Sequence, residues 1–197
     1  PFQCAGSIRT AVSPSGVHYA VWWSVRPDSS ADIVASSSRD GRTWTGPAKL
    51  DTADAGKAGC KRPPPALVAD GDNLQVVYAM QAHEGPGVFL AHSMDDARTF
   101  HSPVAVVYGE KPGLAAVAAK GNFVIVAYED PNTTPTRISV AVSTTMAHLF
   151  EYRAVVSPED AAATRPEVWT DGTQVVLSWV RAGSDSTTRI TLRGHVR

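Results

Sequence analysis

A glycine recurs four times along the chain, at intervals of 55, 50 and 51 residues, and an aromatic residue follows each glycine seven positions later. The four pairs are Gly16/Trp23, Gly71/Tyr78, Gly121/Tyr128 and Gly172/Trp179. Repeats of about 50 residues that are built from short apolar stretches are typical of β-propellers, in which each repeat forms one blade. The pattern therefore predicts an all-β fold, a β-propeller of four antiparallel blades.

Short apolar stretches on either side of each glycine predict the strands of the blades. A stretch of small and apolar residues precedes each glycine, a stretch rich in Val, Ile, Tyr and Trp follows it, and a third stretch alternates in polarity. The predicted inner strands are residues 8–13, 65–69, 113–118 and 166–170. The predicted blades, within a single domain covering 1–197, are residues 5–51, 60–108, 112–157 and 164–197.

An outer fourth strand is predicted in the first three blades only, around residues 47–50, 103–107 and 152–156. The fourth repeat stops before its outer strand, so the last blade is expected to be incomplete. An open sheet edge invites pairing with another strand. Either this blade has three strands, or a partner or further residues complete it.

The composition excludes several classes of function. The formal net charge is −1, so a strongly basic nucleic-acid surface is not expected. No apolar run approaches the roughly 20 residues of a membrane span, and no transmembrane segment is predicted in this chain. The six histidines have no tight metal-ligand spacing, and His92 and His101 are expected to face solvent. The chain also lacks nucleophile-elbow and phosphate-loop motifs. Neither a metal nor another cofactor is expected.

The two cysteines, Cys4 and Cys60, precede their repeat glycines by twelve and eleven residues. Equivalent positions in neighbouring blades lie close in space, which favours a disulfide between blades one and two. The alternative is two unpaired small core residues. A disulfide would place the protein in an oxidising compartment, periplasmic or secreted.

Three in-register segments between the third and fourth strands resemble the Asp-box of bacterial neuraminidase repeats, Ser-x-Asp-x-Gly-x-Thr-Trp. Residues 37–44 and 93–100 match this pattern, and residues 143–150 retain only part of it. The residues that carry the match are Ser37, Asp40, Gly41, Trp44, Ser93, Asp95, Thr99 and Phe100. The chain therefore resembles a sialidase-like propeller. In such a turn, a Ser or Asp oxygen accepts hydrogen bonds from turn amides, Gly permits positive φ, and the aromatic packs between sheets.

The resemblance implies that ligands bind where loops lead into the inner strands and join the second to the third strands. Sialidases hold a carboxylate with three arginines, because a guanidinium is a permanently charged, bidentate donor. The ligand-binding candidates in these loops and at the strand starts are Arg9, Arg62, Lys111, Arg165, Arg26 and Arg181. The alternative is that these groups form surface or interblade ion pairs.

A catalytic set is harder to assemble. A retaining sialidase uses a Tyr nucleophile, a Glu that activates it and an Asp acid/base. The residues that would serve are Arg62, Arg165, Asp28 and Glu129. Tyr78 and Tyr128 hold the repeated aromatic position, which indicates packing. Catalytic sialidases also have six blades, whereas this chain supplies four.

The expected function is therefore non-catalytic: a binding or scaffold module, as an accessory subunit of a larger extracytoplasmic or membrane-associated complex with protein partners. One alternative is a glycoside hydrolase of exo-sialidase type, or a fragment of one, which would make the chain an enzyme. A second alternative is a lectin-like protein that binds an anionic carbohydrate through its basic residues.

Overall fold

Four antiparallel sheets follow one another along the chain in a computed structural model that describes residues 2–183 and 186–196. Each sheet is one blade, and the predicted four-bladed propeller is confirmed. Blade 1 comprises β1 (Phe2–Gln3), β2 (Arg9–Val12), β3 (His18–Val25), β4 (Ala31–Ser38) and β5 (Ala48–Asp51). Blade 2 comprises β6 (Ala66–Asp70), β7 (Asn73–Ala82), β8 (Gly85–Ser93) and β9 (Val104–Tyr108).

Blades 3 and 4 continue the same antiparallel order from an inner to an outer strand. Blade 3 comprises β10 (Ala115–Lys120), β11 (Phe123–Asp130), β12 (Arg137–Ser143) and β13 (Tyr152–Val155). Blade 4 comprises β14 (Ala163–Thr170), β15 (Gln174–Ala182) and β16 (Thr187–His195). Within the described residues blade 4 has three strands. The N-terminal strand β1 does not complete it, because β1 pairs with β3 in blade 1.

The hydrophobic core lies between the blades. One cluster joins blades 1 and 2, a second joins blades 2 and 3, and a third joins blades 3 and 4. Side chains alternate across each strand, so neighbouring residues such as Tyr78 and Val77 enter different clusters. Each middle blade is therefore apolar on both faces, which explains the nearly continuous apolar sequences of β7 and β11.

The first blade departs from the predicted repeat by one residue. Its turn spans 14–16 between the bonded Ser13 and Val17, whereas the equivalent turn in blade 2 spans 71–72. A one-residue shift reverses the face of every following side chain. Trp23 therefore packs in the core shared with blade 2, and the predicted equivalence of Trp23 with the later aromatics is wrong.

Trp22 holds the position that Tyr78, Tyr128 and Trp179 hold in the other blades. Each of those three side chains packs in the core shared with the preceding blade. Trp22 instead packs with Ala20 and Val34 of its own blade. Trp23 contacts Tyr78 edge-on, with ring centroids 6.1 Å apart, and its Nε1–H donates to Pro63 O at 2.9 Å.

A disulfide ties the first two blades together, as predicted. Cys4 precedes β2, Cys60 precedes β6, and their Cα atoms lie 5.5 Å apart. The bridge closes a long loop, with a sequence separation of 56 residues. In the part of the chain that the structure describes, no helix has the length and apolarity to cross a bilayer.

Replacing both cysteines, as Cys4→Ala with Cys60→Ala, should lower the free energy of unfolding by about 2–5 kcal/mol, because the unfolded chain gains the freedom of the opened loop. Urea denaturation followed by tryptophan fluorescence measures the change. A reducing agent should shift the wild-type midpoint and leave the double variant unmoved. An unchanged midpoint in the double variant would contradict the stabilising role of the bridge.

Candidate functional site

The antiparallel path of each blade separates the propeller into two ends. Inner strands start at one end, and the second strands return to it before the third strands leave again. The glycine turns and the connections between third and outer strands therefore lie at the other end. We call the first the strand-start end and the second the turn end.

A cavity of about 450 Å³ opens where all four inner strands start. Its walls carry the inner-strand residues of every blade, so it lies at the axis. The lining residues are Arg9, Thr10, Pro64, Pro65, Ala66, Leu67, Leu114, Ala115, Ala116, Arg165, Pro166, Glu167 and Arg189. We refer to it as the axial cavity. Small and proline side chains form most of the wall of this cavity, and charged groups from blades 1 and 4 complete it.

Three arginines and one glutamate supply the charge of the axial cavity. Arg189 pairs with Glu167 at 2.7 Å, and its Nη1 also donates to Ser178 Oγ at 2.9 Å. Arg9 donates from Nη1 to two backbone carbonyls, and neither Arg9 nor Arg165 makes an ion pair with a described residue. The charged residues that line the cavity are thus three arginines and one glutamate, and one of the three arginines is paired with that glutamate.

Arg165 sits on an unusual piece of backbone. Its φ is +54°, it lies in a bulge of β14, and Pro166 follows it. A non-glycine residue in the left-handed region costs about 1–3 kcal/mol and persists where surrounding contacts hold it. Glu129 provides that contact, because its Oε1 accepts the Arg165 N–H at 2.9 Å. The same carboxylate accepts the Leu114 N–H at 3.0 Å, so it joins the starts of blades 3 and 4.

Arg62 lies outside the axial cavity, in the linker between blades 1 and 2. Its side chain is 5% exposed and pairs at 2.5 Å with Asp54, which is fully buried. The guanidinium also donates to three backbone carbonyls, those of Gly56, Gly59 and Ser29, and lies over the Trp23 ring. These contacts use the donors of Arg62 for structure, so the sequence-based ligand role is not supported by its position.

The other predicted site residues do not line the axial cavity either. Arg26 pairs with Asp32 at 2.5 Å, and Arg181 pairs with Asp160 at 2.7 Å. Asp28 accepts the Ser30 hydroxyl at 2.6 Å and the Ser30 N–H at 3.1 Å, and these bonds lower the pKa of Asp28. Lys111 is exposed beside a separate pocket that Glu129 also lines.

Of the predicted residues, the structure therefore brings Arg9 and Arg165 together. Glu167 and Arg189 line the same cavity and are not among the residues predicted from the sequence. The position of Glu167 could have been predicted from the turn at Gly172. Pairing the two strands residue by residue from that turn places Glu167 opposite Ser178. The contact with Arg189 depends on the third strand of the blade, whose register the sequence did not define.

At the turn end, Asp95 organises the connection between β8 and β9. Its carboxylate accepts the backbone N–H of Arg98 at 3.1 Å and of Thr99 at 2.9 Å, and the Ser93 hydroxyl at 2.8 Å. These bonds lower the pKa of Asp95 to about 2, and the bond from the Thr99 N–H has the largest effect. Asp96 and Ala97 adopt positive φ, so the turn forms without the glycine of the consensus.

The equivalent turn of blade 1 uses a different serine from the predicted one. Ser38, not Ser37, donates to Asp40 at 2.9 Å, and Asp40 accepts the N–H of Thr43 at 2.7 Å. Gly41 takes a positive φ of +68° there. Trp44 is 40% exposed, so it does not pack between sheets as expected. The one-residue shift of blade 1 moves the whole turn out of the predicted alignment.

No protein-family model and no curated protein sequence matches the chain. Solved structures match it in fold. The sialidase Hz136 from a Hadza microbial source superposes with a TM-score of 0.63 at 16% identity, over 94% of this chain and 44% of that one. Zg3597, a family 117 glycoside hydrolase of Zobellia galactanivorans, gives 0.59 at 11% identity, over 96% and 68%.

An α-L-arabinofuranosidase of Fusarium graminearum, Arb93A, also matches, with a TM-score of 0.54 at 17% identity over 89% of this chain and 59% of that one. The chain spans less than half the length of the Hadza sialidase. At these identities the likeness is one of fold. The chain has a sialidase-like propeller fold.

Removing the buried charge of Arg62 should destabilise the protein far more than removing an exposed one. Arg62→Met leaves Asp54 buried without its partner, which should cost about 3–5 kcal/mol of unfolding free energy. Arg9→Met, at the exposed arginine of the axial cavity, should change it by less than about 0.5 kcal/mol. Urea denaturation of both variants tests this. Equal stability of the two would show that the Arg62–Asp54 pair does not hold the linker.

The turn of Asp95 should make stability sensitive to acid. A carboxyl pKa lowered from 3.8 to about 2 adds stability above pH 4, and that stability is lost as the pH falls through 4 towards 2. The difference in unfolding free energy between the wild type and Asp95→Asn should therefore shrink over this range. Thermal unfolding at several pH values measures it, and a constant difference would contradict the hydrogen-bonded turn.

Proposed function

We propose that the axial cavity binds a carboxylated glycan, with Arg9 and Arg165 as the anion-binding groups. One observation carries the proposal: two guanidinium groups from different blades line one cavity and have no ion-pair partner among the described residues. A guanidinium binds a carboxylate through two parallel N–H···O bonds, which selects for charge and for orientation.

The neighbouring groups support the same ligand class. Glu167 already neutralises Arg189, so the positive charge that remains belongs to Arg9 and Arg165. A ligand with one carboxylate would balance half of it. The cavity volume of about 450 Å³ is in the range of small-molecule sites. Its position at the axis, lined by all four blades, also gives a sugar ring contacts on several sides.

The structural neighbours support a glycan ligand over a protein scaffold role. The sialidase and the two further glycoside hydrolases act on sugars by their names, and a non-catalytic scaffold function has no such support. A fold alone does not carry an activity. For this chain, the proposal of a carboxylated sugar ligand depends on the arginines of the cavity.

Glycoside hydrolysis is the second candidate function. Glu167 is the carboxylate among the residues that line the cavity, and it pairs with Arg189. Most glycosidases use two carboxylates, one as acid and one as base or nucleophile. In this candidate Glu167 would serve as one of them, and turnover would depend on it.

Two further proposals follow from the sequence resemblance. The turns at Asp40 and Asp95 are proposed to be Asp-boxes with a structural role, supported by the backbone amides that both carboxylates accept. An extracytoplasmic location is proposed as well, supported by the Cys4–Cys60 disulfide. A protein partner in a larger assembly stays a prediction of the sequence.

Isothermal titration with 3′-sialyllactose and with lactose tests the proposed ligand. The wild type should bind sialyllactose saturably and lactose at least about tenfold more weakly, because lactose lacks the sialyl residue that carries the carboxylate. Arg9→Ala and Arg165→Ala should each weaken sialyllactose binding, whereas Arg181→Ala, outside the cavity, should not. Equal affinity for the two sugars, with all variants folded by circular dichroism, would contradict the proposal.

A fluorogenic sialoside separates binding from hydrolysis. Release of the fluorophore by the wild type, abolished in Glu167→Gln, would establish the enzyme. Binding of sialyllactose without release would establish a lectin-like site. The Arg9→Ala variant should lose either activity.

A further inference from the structure

Three histidines meet at the turn end, on the opposite side of the propeller from the axial cavity. His92 is near the end of β8, His101 is in the connection from β8 to β9, and His148 is in the connection from β12 to β13. One nitrogen of each ring lies within 4.8 Å of the others. The sequence spacing gave no sign of this cluster, because blades 2 and 3 each contribute part of it.

His92 is the buried member of the cluster. Its side chain is 2% exposed, so the expectation that it faces solvent is wrong. Its Nε2 has no hydrogen-bond partner among the residues that the structure describes. A buried ring nitrogen without a partner loses the hydrogen bonds that water would supply, so such atoms are rare without a compensating contact. Burial and the two neighbouring rings lower the pKa of His92 to about 4, which leaves its imidazole neutral at pH 7.

Gln75 adds a second orphaned group at the same place. It pairs across the sheet with His92 and is equally buried, and its Oε1 also lacks a hydrogen-bond partner within the described part of the chain. Two adjacent buried side chains therefore each carry a polar atom that has no partner among the described residues. An apolar ligand would leave both of them unsatisfied.

The ring of His148 makes a hydrogen bond of the kind that orients metal ligands. Its Nδ1 lies 2.6 Å from the carbonyl oxygen of Thr145, to which a ring N–H donates. The lone pair is then on Nε2. Metal-binding histidines usually donate their other ring N–H to a carbonyl or carboxylate in this way, which fixes both tautomer and ring orientation.

We propose that His92, His101 and His148 bind a divalent transition-metal ion of the zinc type between blades 2 and 3. Three imidazole nitrogens suit Zn²⁺, and water would complete a tetrahedral shell. Zinc–nitrogen distances of 2.0–2.1 Å place ligand nitrogens about 3.4 Å apart, so the rings close inward on binding.

One exposed ring supplies this movement. His101 is an exposed residue of a connection, so it is the ring that turns, whereas His92 lies in the sheet and the bond to Thr145 holds His148. The His92 and His101 rings stack at 4.3 Å with 15° between planes, and His101 must turn out of this stack to direct a nitrogen at the ion. The ion would then link the two blades at the turn end, independently of any ligand in the axial cavity.

Zinc titration of the full chain, freed of metal by chelator dialysis and carrying no histidine tag, tests the site. Isothermal titration should show one saturable ion per chain, and a hundredfold excess over the dissociation constant should raise the melting temperature by about 5 °C or more. His148→Ala and His101→Ala, both at exposed positions, should weaken zinc binding by at least about 100-fold. His83→Ala, an exposed histidine outside the cluster, is the matched control and should bind as the wild type does.

Cobalt provides a geometric readout that does not depend on stability. Co²⁺ should develop the visible absorption of a tetrahedral nitrogen-rich site in the wild type and in His83→Ala, and lose it in His148→Ala. The proposal is overturned if the wild type binds no zinc saturably, if His148→Ala binds as tightly as the wild type, or if His83→Ala loses the same affinity. Stacked rings without a metal role would give the first of these results.

Discussion

Packing between blades is the interaction on which the whole structure depends. A single sheet cannot bury its own apolar side chains, so they are buried only where the face of one blade packs against the next blade. The three core clusters correspond to the three contacts between consecutive blades. Because side chains alternate along a strand, one middle strand such as β7 supplies two of these cores at once. Polar bridges then fix the relative rotation of the blades, as where Asp70 accepts from Lys120 at 2.7 Å and from the Gly121 N–H.

This architecture separates charges that hold blades together from charges that remain available. Arg62 and Glu129 look like site residues in sequence, yet one is a buried ion-pair partner and the other caps backbone amides of two strand starts. Burial consumes their hydrogen-bonding capacity. Arg9 and Arg165 differ because they lie where the inner strands converge and water still reaches them. The bulge at Arg165, held by Glu129, shows that the structural charges also position the available ones.

The strands were predictable because their signals are local. A turn glycine, a β-branched and aromatic run, and period-two alternation are all read within a few residues, and the observed strands lie where those signals are. The side-chain faces of blade 1 were not predictable, because one additional turn residue reverses all of them. Trp22 and Trp23 are both aromatic, so the sequence does not indicate which of the two holds the repeated position. The roles of the charged residues were not predictable, because they depend on whether each side chain is buried. The histidine cluster depended on contact between blades, since His92 and His148 are 56 residues apart.

The proposed place of ligand recognition is the strand-start end of the axis, and the proposed place of structural reinforcement is the turn end. A crystal structure with bound N-acetylneuraminic acid examines this most directly. The sugar is expected in the axial cavity, with its carboxylate oxygens about 2.7–2.9 Å from guanidinium nitrogens of Arg9 and Arg165. Sugar bound elsewhere on the propeller, or in the cavity with its carboxylate turned away from both arginines, would contradict it.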